Sequence, residues 1–139
     1  MSQTLFPRTE VAGVSLSRMI IGTNWMLGWS HTTTSADHMI TRRFSEPEPF
    51  RAMVAAYLDC GVDAMMAPFT GHQALLDGIR QAEDATGKHV IKIDTPIIDV
   101  SDTREGRAAA EATIAACAKN GSEICLIHHS SAEQQAVLR

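Results

Sequence analysis

Lys92 and Asp94 stand two residues apart at the end of the short apolar run His89 to Ile93, which continues into Asp94, Thr95 and Pro96. Residues at that spacing on a strand point to the same side. An ammonium among hydrocarbon side chains needs a carboxylate, a cavity or a ligand. Lys92 therefore reads as a base, a Schiff-base former or an electrostatic clamp, with Asp94 as its partner; read as plain structure, the two form an interior ion pair. His128 closes a second apolar run, Glu123 to His128. An imidazole there suits an acid, a hydrogen-bond donor to a carbonyl oxygen or a metal ligand. Lys92, Asp94 and His128 are the catalytic candidates. Asn24, Trp25 and His31, which follow the run Arg18 to Thr23, are the candidates for holding a substrate.

Other site chemistries are not spelled out. The chain has no glycine-rich phosphate motif and no closely spaced histidine pair of the H-x-H or H-E-x-x-H kind. Spacing leaves open a divalent metal held by His31, Asp94 and His128, a looser set. His38, His72, His89 and His129 read mainly as loop or surface residues.

The elements that must position these residues follow a recurring order of strand, polar loop, helix, glycine and next strand. The strands read as Arg18 to Thr23, Val62 to Ala67, His89 to Ile93 and Glu123 to His128. Such short apolar runs suit strands covered on both faces. Helices are expected over about Pro49 to Cys60, His72 to Thr86 and Thr103 to Asn120. In the first, Phe50, Met53, Val54, Tyr57 and Leu58 form one apolar stripe. In the third, Asp102 and Glu105 have capping-box spacing, and Ala108, Ala112 and Ala115 are expected to face the sheet. Gly61, Gly87 and Gly121 close the three helices. Repeated joints of this kind imply right-handed crossovers and a parallel sheet. Phe6 to Leu16 reads as a hairpin turning at Ala12-Gly13, placed to plug the bottom of a barrel. The stretch Asn24 to Glu48 reads as a long loop, a lid or a subunit contact.

The fold class expected is α/β, a parallel (β/α) half barrel with a short N-terminal hairpin. Residues 1–139 would form a single domain, the N-terminal half of an eight-unit barrel, incomplete at the C-terminus because a fourth helix starts at Ser130. An open four-stranded α/β domain is the plainer alternative. In a barrel, chemistry gathers at the carboxyl ends of the strands, which is where Asn24, Asp94 and His128 fall. The missing wall would be the remaining half barrel or a homo-oligomer partner.

The formal net charge is -4, with no lysine-arginine cluster. That composition argues against nucleic acid and anionic membrane surfaces and leaves a small-molecule substrate as the partner. Cys60, Cys117 and Cys125 are too few and too scattered for a disulfide framework and read as buried free thiols. No signal peptide or membrane span is visible, so a cytoplasmic location is expected.

The segment Val14 to Asn24, with Gly22-Thr23 followed by Trp25 and Gly28, resembles the opening of aldo/keto reductase-like barrels. Cys60-Gly61-Val62-Asp63 is similar to the family's approach to its second strand, and Leu126-Ile127-His128 to the end of its fourth. The resemblance implies a TIM-type barrel, acid–base chemistry on a small carbonyl or hydroxyl compound, and NADP as cofactor. It carries the family histidine to His128 and the family lysine to Lys92. The family aspartate position falls on Met65, Met66 or Ala67, and the single tyrosine, Tyr57, lies on a helix. The resemblance thus implies a diverged branch without the full reductase tetrad. Two further readings stand beside it: a metal-dependent barrel hydrolase, lyase or isomerase, and a non-catalytic, truncated or self-associating half barrel.

Overall fold

A computed structural model describes residues 6–30 and 32–127. The chain opens with an antiparallel hairpin, β1 (Arg8–Val11) and β2 (Val14–Ser17). Its two-residue turn places Ala12 and Gly13 at φ 49° and 84°. This is the twist that tight hairpins prefer, and it strains Ala12, which carries a Cβ into the left-handed region.

Four strands then form one parallel sheet in sequence order: β3 (Ile20–Gly22), β4 (Ala64–Ala67), β5 (Ile91–Asp94) and β6 (Ile124–Cys125). Each crossover carries helix: α1 (Thr34–Phe44) and α2 (Pro47–Asp59), then α3 (Gln73–Thr86), then α4 (Arg104–Lys119). The parallel α/β order agrees with the repeating pattern in the sequence.

The two faces of the sheet have different neighbours. Ile21, Met65, Ala67 and Val90 pack with Phe50, Val54 and Leu58 of α2 and with Leu75, Ile79 and Ala82 of α3. Leu16 from the hairpin packs on the opposite face with Ala64 and Ile93, flanked by Met66, Ile91 and Ile124. The hairpin is fastened at the amino end of the sheet. Ser17 N–H donates to Asp63 Oδ1 at 2.9 Å, and the Asp63 and Ala64 amides donate to Ser17 Oγ at 3.1 Å. Arg8 adds an ion pair to Asp63 at 2.7 Å.

Four expectations need correction. The stretch Asn24 to Glu48 is not a bare loop: α1 occupies Thr34–Phe44, with Thr33 Oγ1 accepting from Ala36 N–H at 3.2 Å. The cap of α4 is Thr103, whose Oγ1 accepts from Gly106 N–H at 3.0 Å, rather than Asp102 with Glu105. Ala108, Ala112 and Ala115 are exposed; α4 buries Gly106 and Cys117 instead. A Cβ on Gly106 would lie 2.7 Å from the Ser101 carbonyl oxygen, so only glycine admits the chain this close. The free thiols divide likewise: Cys117 is buried, whereas Cys60 and Cys125 are exposed.

Candidate functional site

The carboxyl ends of the four strands surround an open hollow of about 1060 Å³. Gly22, Thr23, Asn24, Trp25 and Trp29 line it from the turn after β3, and Met66, Ala67 and Pro68 from the end of β4. Thr95 and Ile97 beyond β5, with Leu126 and Ile127 beyond β6, complete the described wall.

Backbone hydrogen bonding sets the shape of this rim. The turn after β3 is closed by Leu27 N–H to Thr23 O at 3.1 Å and Trp29 N–H to Asn24 O at 2.7 Å. Thr23, itself buried, donates through Oγ1 to Met66 O at 3.2 Å and so ties that turn to β4. The turn leaves both indoles largely outside the core: Trp25 is 59% exposed and Trp29 47%. Trp29 meets the His72 ring edge-on at a centroid distance of 6.3 Å. A rim of indole and aliphatic surface, with the Asn24 amide and the Thr95 hydroxyl as polar handles, suits a small and largely apolar molecule.

The strands do not bring all the expected residues together. Asn24 and Trp25 line the hollow. Lys92 and Asp94 are buried, 7% and 0% exposed, but on the helix-facing side of β5. In the ladder Lys92 stands beside Met65 and Asp94 beside Ala67, both members of the core shared with α2 and α3. Nor do the two form an ion pair. Asp94 Oδ1 accepts from Phe69 N–H at 3.1 Å, and Oδ2 accepts from Thr70 Oγ1 at 3.2 Å and Ser122 Oγ at 3.5 Å. Asn120 Nδ2 donates to the same Thr70 oxygen at 3.3 Å. Asp94 thus fastens the β4–α3 loop to β5 and to the turn after α4. His31 and His128 lie outside the described residues, as does His129.

Residues that reasoning from sequence passed over are Thr95, Ile97, Met66 and Leu126. Thr95 could have been found by alternation, since it has the parity of Ile93, which faces inward. Among the described residues, the hollow is lined by no ionisable side chain. Nor do the described residues include a group of three His, Cys, Asp or Glu side chains able to hold a metal ion. Among the described residues, no cationic side chain lines the wall.

The fold and rim define a parallel α/β protein with an open hollow at the carboxyl ends of its strands. Comparison with family models, curated proteins and solved structures gave no match. No helix among the described residues is long and apolar enough to cross a membrane.

Proposed function

We propose that the chain forms part of an aldo/keto reductase-like barrel enzyme of diverged activity, binding a small carbonyl or hydroxyl compound in the hollow above the sheet. The observation that carries this reading is the juxtaposition of Asn24, Trp25, Trp29 and Thr95 around that hollow. Indole faces supply contact area at little conformational cost, and one amide and one hydroxyl can orient a single oxygen of the ligand. His128 is the acid–base candidate, since it follows Ile127, which lines the hollow, directly in sequence. Asp94 is a scaffold residue in this reading, because its oxygens are held by Phe69, Thr70 and Ser122. The opposite wall is the remaining half of the barrel, from further chain or from a second copy of this one. Light scattering separates those two sources: a dimer favours the second copy.

The test uses the two tryptophans as reporters. Small aldehydes, ketones and alcohols are titrated while emission is followed, and turnover is sought with and without reduced nicotinamide. Saturable quenching that is lost on Asn24→Ala or Trp25→Leu, together with turnover lost on His128→Ala, supports the proposal. Quenching insensitive to both rim substitutions rejects the hollow as the binding site.

A further inference from the structure

A second, smaller hollow of about 280 Å³ lies on the other side of the sheet, between α3 and the end of α4. Gln73, Arg80 and Glu83 reach it from α3, Lys119 and Asn120 from α4, and Lys92 from β5. Lys92 is more than nine-tenths buried, yet among the described residues its ammonium has no hydrogen bond and no ion pair. No buried side-chain nitrogen among the described residues lacks a partner, so the Lys92 ammonium meets the open space of the hollow and would face a ligand there.

The carboxylates nearby are already engaged. Glu83 Oε1 pairs with His89 Nδ1 at 2.6 Å and accepts from Val90 N–H at 2.9 Å. Glu123 Oε1 pairs with His89 Nε2 at 2.6 Å, and its Oε2 accepts from the Lys92 backbone N–H at 2.7 Å. The Glu123 carboxylate is within electrostatic reach of the Lys92 ammonium but does not touch it. Asp77 holds Arg80 at 2.9 Å and Gln73 at 3.0 Å. The lining therefore carries three cations against one carboxylate, and neither Lys92 nor Lys119 is paired among the described residues.

We infer that this hollow is a binding site for a small oxyanion, phosphate or a carboxylate, anchored by Lys92 and assisted by Lys119. The volume suits one tetrahedral or planar anion with some water rather than a dinucleotide. An anion there balances the excess of cations in the lining, and its oxygens accept from both ammonium groups. The site is separate from the aromatic hollow, which lies on the carboxyl rim of the sheet.

The test measures unfolding midpoint and titration heat with inorganic phosphate against sodium chloride at matched ionic strength. The expected result is a saturable rise in midpoint with phosphate. Lys92→Met should weaken binding at least tenfold. Lys119→Met should weaken binding severalfold. Lys88→Met, whose ammonium pairs with Asp59 at 2.7 Å elsewhere on the surface, should leave it unchanged. An acetate titration as strong as phosphate assigns the site to carboxylates. A phosphate response absent from the wild type, or equal in wild type and Lys92→Met, overturns the inference. Should Lys92→Met fail to fold, a Lys119→Met protein with unchanged phosphate affinity overturns it equally.

Discussion

Lys92 and Asp94 share one face of β5, and that face is turned toward the helices: their ladder neighbours Met65 and Ala67 belong to the core built with α2 and α3. Their environments differ despite the common face. Asp94 is closed in by donors from the β4–α3 loop and the turn after α4, whereas the Lys92 side chain opens on the hollow beside α3. One strand thus separates a fastening carboxylate from a cation available to an anion.

The fastening role predicts how Asp94 variants behave. Asp94→Ala leaves the Phe69 amide without its acceptor and should cost about 2 kcal/mol or more. Asp94→Asn retains one oxygen but turns an amide toward donors, and about 1–2 kcal/mol is expected. Urea denaturation gives both values, and ligand affinity in the aromatic hollow should stay the same while either variant is folded. An Asp94→Asn protein of wild-type stability that has lost all turnover would instead place Asp94 in the chemistry.

Glu123 supplies a pH dependence with a definite sign. Burial alone would raise its carboxyl, but hydrogen bonds from His89 and the Lys92 amide, with the Lys92 charge, hold it below the usual range. A carboxyl lower in the folded than in the unfolded chain contributes stability above its unfolded value. That contribution is lost as pH falls through the lower, folded value. Wild type should therefore lose more stability than Glu123→Gln between about pH 5 and about pH 3, the window in which carboxylates titrate. Denaturant midpoints across that window measure the difference. Parallel curves would show that the Glu123–His89 bridge adds nothing.

Thiol reactivity should separate the three cysteines. Burial pushes the Cys117 thiol up to about 11, with the Asp94 charge adding to the rise against a hydrogen bond to Thr70. Cys60 and Cys125 are exposed. A chromogenic disulfide at neutral pH should label two thiols quickly and the third only on unfolding, since the thiolate is the reactive form. Fast labelling of all three would contradict the packing around Thr70 and Asp94.

The parallel order was legible because glycines and apolar runs punctuate the chain at every helix-to-strand joint. The facing of β5 was not. In Ile91-Lys92-Ile93-Asp94 the polar residues alternate with the apolar ones, as they would if they lined an interior pocket. The structure reverses this because the donors that satisfy Asp94 lie in the β4–α3 loop, a relation between distant residues that no local pattern encodes. Helix α1 was hidden for a different reason: its apolar positions, Ala36, Met39, Ile40 and Phe44, are few in a polar segment, and none of them is buried. Asn24 and Trp25 could be placed at the rim from sequence because the loop after a parallel strand lies at its carboxyl end.

The joint between α2 and α3 offers the sharpest packing test. A Cβ on Gly78 would stand 2.3 Å from Phe50 Cδ1 and 2.7 Å from Cε1, so the ring occupies the space a side chain would need. Phe50 and Gly78 are both buried, and the ring cannot swing away without opening the core around Val54 and Ile79. Gly78→Ala should improve helix propensity by about 1 kcal/mol yet lose about 1–3 kcal/mol to overpacking. A net loss in thermal midpoint is expected. Phe50→Leu alone should destabilise by leaving a void. The two substitutions together should cost less than their sum, because the smaller side chain leaves room for the new methyl group. Strict additivity in the double variant would mean that the ring and the glycine are not in contact.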